Sequence, residues 1–358
     1  MAPTPFGSDG LFGGGERYPV ALATALHAHL DCRLVTFGPV PRRVTAPGGL
    51  EVQVLRPLTH LRGHPAHPLA VALPAALDDA DIVHTHHLRS TPSRVAALAG
   101  RLRGRRLAVT DHGLGGGGWA GLLPRLFHRF LTVSRYSAEV LGVPAAVTRV
   151  IFGGADTDRY HPGPDGDRRG VLFVGRLTPH KGVDRLLRAL PDGAPLTVVG
   201  SGGHDPRPPE RDYPDLLQRL AEGRQVTFRG TVPDDDLPGL YRGAEVFVLP
   251  SVHETCYGRR VAISELLGLS VLEAMASATP VVCSSVGGVA EIVRDGETGF
   301  LVEPGDVAGL RDRVAQVLAD PRLARRLGAN ARDAVLERFT WDAVARRCTD
   351  AYRELMVS

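Results

Sequence analysis

The chain has 358 residues, of which 23% are charged and 43% are hydrophobic, with a formal net charge of +3. These values are ordinary for a globular protein, and the length allows about two domains. Aromatic residues make up only 6% and do not interleave with the arginines, which disfavours nucleic-acid binding.

Short apolar segments alternate with longer amphipathic ones along the whole chain. Strands are predicted at 52–55, 82–84, 107–110, 130–133, 147–152, 170–174, 196–200, 226–229, 246–249, 280–283 and 299–302. Helices are predicted at 18–30, 182–190, 266–276, 308–318 and 341–356. This alternation predicts two doubly wound α/β domains. The Pro/Gly/Asp-rich stretch 161–169 is the expected linker, so we place the domains at 1–163 and 164–340.

Gly14 and Gly15 end a glycine-rich stretch, 7–15, that precedes the first predicted helix. Glycines before a helix let backbone N–H groups approach an anion, although flexible loops have the same composition. The stretch does not have the dinucleotide-binding pattern, so no nicotinamide cofactor is expected. Only residues 1–6 precede it, where a doubly wound domain normally has a buried strand. We expect this strand to be truncated rather than a stub, which would leave a central position in the sheet unfilled.

Histidines stand at the ends of two predicted strands. Strand alternation puts His84 and His86 on one face. We favour strand-end histidines near a cleft over a metal site. His112 ends the next strand, and a residue at the carboxyl end of a parallel strand points toward the ligand crevice. A loop histidine with no role is the alternative.

Lys181 is the only lysine among the 42 basic residues. It follows Arg176 in a loop between an apolar strand and a predicted helix. Arginine offers a planar fork and lysine a compact charge, and a phosphate beside a helix start can use both. The pair predicts a diphosphate site, with a surface charge pair as the alternative.

Two glutamates lie eight positions apart, and the second is inside an otherwise apolar helix. A charged Glu273 there is costly unless it is paired or contacts a ligand. Ionised carboxylates accept several hydrogen bonds, which suits Glu265 and Glu273 to the hydroxyls of a sugar and a ribose. A structural salt bridge is the alternative for each.

The arginine run at 101–106 could touch anionic lipid or an acidic acceptor, with a solvated helix end as the alternative reading. The four cysteines are far apart and match neither a disulfide framework nor a metal pair. We therefore expect a cytoplasmic protein that can lie peripherally at the inner face of the membrane.

Taken together, these segments resemble the retaining GT-B glycosyltransferases of the large family called family 4. Single matches are weak, but their order and spacing are specific, and they run from Gly13 to about Trp341. They include the segments 13–16, 81–86, 110–112, 133–134, 151–162, 174–182, 230–233, 249–251, 265–276, 279–282, 287–291 and 295–302.

The resemblance implies two Rossmann-like domains facing across a cleft, with the nucleotide-sugar on the C-terminal one and the helix 341–358 crossing back to the N-terminal one. It implies transfer from a nucleotide-diphosphate sugar to a hydroxyl acceptor such as a glycan, a lipid or a secondary metabolite. The donor would react with retention, by same-face attack, and without a metal or other cofactor.

The resemblance also assigns roles to individual residues. Arg176 and Lys181 would hold the diphosphate, Glu273 the ribose and Glu265 the transferred sugar. The rest of the cradle would come from His112 near the reaction centre and from backbone amides at Gly14, Gly15, Gly268 and Leu269.

The chain departs from the family pattern at an insertion of about ten residues after Pro250-Ser251, where Glu254 becomes a rival for the first glutamate. The eight-residue spacing to Glu273 favours Glu265. Gly153 also stands where the family often has asparagine. The alternative functions are a sugar phosphorylase, a nucleotide-sugar epimerase or an inactive sugar-nucleotide-binding module. A phosphorylase that uses pyridoxal phosphate is disfavoured, because the only lysine is already assigned to the diphosphate.

Overall fold

The computed structural model describes residues 1–2, 14–63, 67–112, 121–163, 168–202 and 210–357. The chain divides into two compact units. The first unit comprises Met1–Gly153 and Trp341–Ser358, and the second comprises Gly154–Thr340. The division therefore falls between Gly153 and Gly154, before the boundary predicted at 163/164.

Strands and helices alternate most regularly in the second unit, from β10 to β14. The strands are β1 (Arg33–Phe37), β2 (Arg42–Thr45), β3 (Glu51–Leu55), β4 (Thr59–His60), β5 (Pro68–Leu69), β6 (Ile82–His86), β7 (Arg106–Thr110), β8 (Arg129–Thr132), β9 (Thr148–Val150), β10 (Val171–Val174), β11 (Leu196–Val199), β12 (Val226–Phe228), β13 (Val246–Leu249), β14 (Val281–Ser284) and β15 (Phe300–Val302). The helices are α1 (Gly14–His27), α2 (Thr91–Leu102), α3 (Arg135–Leu141), α4 (Val183–Ala189), α5 (Tyr213–Ala221), α6 (Leu237–Gly243), α7 (Leu269–Ala276), α8 (Val307–Ala319), α9 (Pro321–Arg338) and α10 (Trp341–Val357).

In the first unit, the parallel strands β6, β7, β8 and β9 form one sheet, and β1, β3 and β2 form another. Met1 and Ala2 lie between the two sheets. The Ala2 amide donates to the Val35 carbonyl at 3.0 Å, and the His86 amide donates to the Met1 carbonyl at 3.2 Å. The central position that we expected to be unfilled is therefore occupied by these two residues.

The second unit contains a sheet of six parallel strands in the order β12-β11-β10-β13-β14-β15. The chain starts at the centre with β10, moves outward to β12, and then returns to the other side of β10 with β13. This order is the doubly wound Rossmann arrangement. The predicted α/β class with two Rossmann-like domains is confirmed.

The strands are recognisable in the sequence because they are buried on both faces. All four side chains of β13 and of β14 are buried, as expected for parallel strands that helices cover on each side. The first unit has an equivalent core that includes Val83, Leu107 and Phe130. Strands β1, β2, β4 and β5 were not predicted. Helix α7 begins at Leu269 rather than at 266, because Gly268 before it has a φ of 99° and ends the preceding irregular segment.

Candidate functional site

The predicted charged residues of the second unit gather where the strand order reverses. Strands β10 and β13 are neighbours at the centre of the sheet, and the connections that leave them go to opposite sides. In open α/β sheets, a ligand crevice forms at the carboxyl ends of such strands. Arg176 and Lys181 follow β10, whereas Ser251 and Glu265 follow β13. The topology thus brings together residues that are far apart in the sequence.

The loop that carries Lys181 packs directly on the loop that follows β13. Gly182 ends the turn Pro179–Lys181 with a φ of 68°. A Cβ atom at Gly182 would lie 1.9 Å from the carbonyl oxygen of Pro250. This distance is too short for any side chain to be accommodated. The Val252 amide donates to the His180 carbonyl at 2.8 Å and ties the loops together. Glycine at 182 is therefore required by both its conformation and its surroundings.

Lys181 forms an ion pair with Glu265, and Ser251 completes the group. The Lys181 ammonium donates to Oε1 of Glu265. The Ser251 hydroxyl donates to the same oxygen at 2.7 Å. The side chains of Lys181 and Glu265 are 14% and 8% exposed, so little water reaches the pair. A buried carboxylate is tolerated there because it has both a counter-charge and a hydrogen bond.

The two carboxylate oxygens of Glu265 differ in their hydrogen bonds, because Lys181 and Ser251 both donate to Oε1. Within the part of the chain that the structure describes, Oε2 accepts no hydrogen bond. A carboxylate oxygen can accept two hydrogen bonds. Glu265 is therefore held rigidly by Oε1 and retains acceptor capacity at Oε2 for a hydroxyl group of a ligand.

Arg176 supplies the second cation. Its side chain is exposed and makes no ion pair or hydrogen bond with another described residue. Burial, together with the charges of Lys181 and Arg176, lowers the pKa of His180 to about 4. His180 is thus neutral at pH 7, mainly because it is buried. The loop can accept an anion without losing an existing bond at Arg176.

Glu273 lies in α7 between buried neighbours, Leu272 and Ala274. The Tyr241 hydroxyl donates to its Oε2 at 2.8 Å. The helix starts at Leu269, directly after Gly268, and the first backbone N–H groups of a helix have no partner within it. These N–H groups and the carboxylate of Glu273 belong to the same short helix.

The rival Glu254 lies in a different environment. Residues 253–261 form a small hairpin in which Glu254 and Arg260 pair through their backbones. The side chain of Glu254 is 60% exposed, and its carboxylate lies 3.7 Å from Arg260. Lys181 pairs with Glu265 and not with Glu254. The geometry supports Glu265 as the first glutamate.

His112, Gly14 and Gly15 belong to the first unit. Gly14 and Gly15 are the first residues of α1, which begins four positions before the predicted helix at 18; the preceding segment 3–13 lies outside the described residues. His86 Nδ1 and His112 Nε2 are 3.1 Å apart, and their rings are stacked. His84 and His86 lie on one face, as predicted, with ring centroids 4.6 Å apart.

The histidines are not arranged as a metal site. Among the described residues, no three histidine, cysteine or acidic side chains are placed to hold a metal ion. His84 instead makes hydrogen bonds with the Tyr352 hydroxyl at 2.6 Å and with the Thr110 hydroxyl at 2.8 Å. Burial is the main cause of their shifted pKa values. It lowers the pKa of His84 to about 3 and the pKa values of His86 and His112 well below the usual range.

These shifts predict that the protein loses stability as the pH falls below about 6.5, the pKa of an unfolded histidine. The folded state keeps the histidines neutral, whereas the unfolded state binds protons below that pH, so acid favours unfolding. The stabilisation is complete above pH 6.5. We expect the thermal midpoint to fall steadily from pH 6.5 to pH 5, a window above the range in which most carboxylates titrate. A midpoint that is constant across this window would contradict the buried neutral histidines.

Two residues of the site were not singled out from the sequence. Ser251 was noted only as part of a motif, and Tyr241 was not noted. Their partners Glu265 and Glu273 lie 14 and 32 positions away. Such separations are too long to be contacts within one helix turn or one strand, so a local sequence pattern does not show them. A serine two positions after a buried strand is the only local signal that was available.

Comparison with known proteins places the chain in a family. Residues 155–334 match the family model of the glycosyl transferases group 1, and residues 12–159 match that of glycosyltransferase family 4. The first match covers half of the chain. The chain belongs to this glycosyltransferase family, and the resemblance noted in its motifs is confirmed.

Individual relatives agree with this assignment. A GDP-mannose-dependent alpha-(1-6)-phosphatidylinositol monomannoside mannosyltransferase of Mycolicibacterium smegmatis is 35% identical, and the match covers 58% of this chain and 58% of its own. A D-inositol 3-phosphate glycosyltransferase of Streptomyces bingchenggensis is 33% identical over 60% of this chain and 49% of its own. The matched part thus spans about half to three fifths of these relatives.

Solved structures share the fold over nearly the whole chain. A sucrose-phosphate synthase from Thermosynechococcus elongatus superimposes with a TM-score of 0.72 at 26% identity, covering 96% of this chain and 94% of its own. The Anabaena protein HepE superimposes with a TM-score of 0.73 at 20% identity, covering 97% and 98%. These neighbours have the GT-B fold, which agrees with the two Rossmann-like units.

Proposed function

We propose that the protein is a glycosyltransferase that moves a sugar from a nucleotide-diphosphate sugar to a hydroxyl acceptor. The observation that carries this proposal is the group formed by Lys181, Glu265 and Ser251 at the reversal of strand order, with Arg176 exposed in the same loop. The group combines cations for a diphosphate with a carboxylate for sugar hydroxyls. The relative from M. smegmatis, whose name states that it depends on GDP-mannose, supports a nucleotide-sugar donor.

In the proposed reaction, the bond between the anomeric carbon and the phosphate oxygen breaks as the acceptor oxygen bonds to that carbon. Negative charge develops on the departing diphosphate, and fixed cations stabilise charge that develops in a transition state. Arg176 and Lys181 would supply this stabilisation in place of a metal ion. The acceptor proton would pass to the departing phosphate oxygen, on the same face of the sugar, so that the anomeric configuration is retained.

In the rest of the proposed site, Oε2 of Glu265 would accept a hydrogen bond from a hydroxyl of the transferred sugar, and Glu273 would bind the ribose. The N–H groups of Gly268 and Leu269 would face the diphosphate. The roles of His112, Gly14 and Gly15, which lie in the first unit, stay predictions from the sequence. The acceptor would be a glycan, a lipid or a secondary metabolite.

The donor can be identified by thermal shift with UDP-, GDP-, ADP- and TDP-sugars in a buffer that contains excess EDTA. A ligand at 100 times its dissociation constant stabilises a protein by about 2.7 kcal/mol, which is a readily measured shift. We expect one nucleotide class to raise the midpoint, and to support transfer, without added metal. If no nucleotide sugar shifts the midpoint, the proposed function is wrong; if a shift needs divalent metal, only metal independence is wrong.

Membrane contact remains a separate prediction. In the structure, several arginines of the 101–106 run contact the chain itself: Arg101 donates to the Leu126 carbonyl at 2.7 Å, and Arg103 pairs with Asp78. Leu102 beside them is 86% exposed. We propose peripheral contact of this helix end with an anionic surface, from the cytoplasmic side. None of the described helices has the length and apolar character that are needed to cross a bilayer.

A further inference from the structure

Tyr241 is a buried tyrosine that makes a hydrogen bond with Glu273 of the candidate site. It lies in α6 and is fully buried. Its ring packs against Tyr160, with centroids 5.7 Å apart, and against Phe247 of β13, at 5.6 Å. The Thr279 hydroxyl donates to its carbonyl oxygen at 2.7 Å. The side chain is therefore fixed by packing on its faces and by a bond at its backbone.

The one polar atom of this rigid side chain is directed at Glu273. The Tyr241 hydroxyl donates to Oε2 of Glu273 at 2.8 Å. A buried tyrosine hydroxyl needs a partner, and the half-buried carboxylate needs donors. A bond between a neutral donor and an ionised carboxylate is stronger than one between neutral groups. The bond therefore restrains the carboxylate group of Glu273 to one orientation.

The carboxylate of Glu273 has more acceptor positions than this bond uses. An ionised carboxylate offers about four acceptor positions on its two oxygens. Tyr241 occupies one of them. Two adjacent hydroxyls of a ribose need two acceptor positions with a fixed spacing, and an orientation that is set in advance lowers the entropy lost on binding.

We propose that Tyr241 is a positioning residue that orients Glu273 for the ribose hydroxyls of the nucleotide donor. The inference rests on the proposed function, because it takes Glu273 as the ribose-binding residue. Tyr241 itself does not touch the ligand. Its effect should appear in the recognition of the ribose hydroxyls and not in contacts with the diphosphate.

The test compares two ligands on two proteins. Dissociation constants are measured by calorimetry for the preferred nucleoside diphosphate and for its 2′,3′-dideoxy analogue. In the unaltered protein we expect the analogue to bind roughly 10- to 100-fold more weakly than the natural nucleotide. This is the loss expected when hydrogen bonds to a charged group are removed. In Tyr241→Phe the natural nucleotide should bind about three- to tenfold more weakly, whereas the analogue should bind nearly as before. The ratio between the two ligands therefore falls.

Tyr213→Phe is the matched control. The Tyr213 hydroxyl is also buried and donates to a carboxylate, Asp184, at 2.9 Å in the same unit. This variant loses the same kind of bond, and also the bond that the hydroxyl accepts from the Asp184 amide at 3.2 Å. It should lose at least similar stability, but it should keep the ratio. A general structural effect would change both variants alike. In a Glu273→Gln background, Tyr241→Phe should change the ratio little further.

The outcomes separate this inference from the proposed function. If the unaltered protein binds no nucleoside diphosphate, both are overturned. If it binds the nucleotide but does not distinguish the dideoxy analogue, the ribose role of Glu273 and the role of Tyr241 are overturned, and the proposed function stands. If the unaltered protein and Tyr241→Phe distinguish the analogue from the natural nucleotide equally well, only the inference about Tyr241 is wrong.

Discussion

Replacing Lys181 by alanine is expected to lower kcat/KM for sugar transfer by roughly 100- to 1,000-fold, the loss seen when one donor to a developing oxyanion is removed. The reason is specific to the position. Lys181 supplies a compact charge in a loop whose other cation, Arg176, is exposed to solvent. Without Lys181, the departing diphosphate loses the cation that is shielded from water. Charge interactions are stronger in such a shielded place than in water.

The same variant should also be less stable, which must be separated from the loss of activity. Removing the ammonium leaves Glu265 as a buried carboxylate with only Ser251 as its donor, and breaking a buried pair is costly. Thermal unfolding of each variant therefore accompanies the kinetics. The assay is run well below the midpoint, with the donor at saturating and at limiting concentration.

Two further variants sharpen this test. Lys181→Arg keeps the charge but is expected to lose at least roughly tenfold in kcat/KM, because the larger planar group does not fit the position of a compact ammonium. Arg188→Ala removes an exposed cation of α4 in the same unit and should keep nearly full activity. Near-normal turnover of Lys181→Ala would overturn the diphosphate role.

Replacing Glu265 is expected to cause the second large loss of transfer activity. Glu265→Gln should lower kcat/KM by roughly 100-fold, since the uncharged amide weakens both the pair with Lys181 and the bond to a sugar hydroxyl. Glutamine keeps the size of the side chain, and its oxygen can still accept from Ser251. The loss should therefore reflect charge more than packing.

Glu254→Gln is the matched control, because it makes the same chemical change in the insertion. Its carboxylate is 60% exposed and is paired only loosely with Arg260, and exposed pairs contribute about 0–1 kcal/mol. We expect nearly unchanged donor turnover and stability. The opposite ranking of the two variants would identify Glu254 as the sugar-binding glutamate and would invalidate the argument from the eight-residue spacing.

Local patterns in the sequence were sufficient for most of the elements of the fold. Strands such as β13 and β14 are short apolar runs because helices cover both faces of the sheet, and the helices between them show their buried face in the spacing of apolar residues. The start of α7 was misplaced by three residues, because the irregular segment before Gly268 is as apolar as the helix itself. Four strands of the first unit, β1, β2, β4 and β5, were missed, although the residues of β1 are mostly buried.

The charged residues of the candidate site were found from their chemical type, and two of their contacts only from the structure. Lys181 was singled out because it is the only lysine, and Glu265 and Glu273 because of their spacing. The sequence did not predict the pair between Lys181 and Glu265. It also did not predict that the Ser251 hydroxyl donates to the same carboxylate oxygen. The sequence left open whether each glutamate was a ligand-binding residue or a structural salt bridge.

The sequence by itself determined the alternation of strands and helices, the family and the identity of the residues that could bind a nucleotide sugar. These features depend on residue type and on short, periodic spacing. Only the tertiary structure decided that the loops after β10 and β13 meet, that Glu265 rather than Glu254 faces Lys181, and that Tyr241 holds Glu273. These contacts join residues 14 to 84 positions apart, and strand order, rather than local sequence, brings such residues within hydrogen-bonding distance.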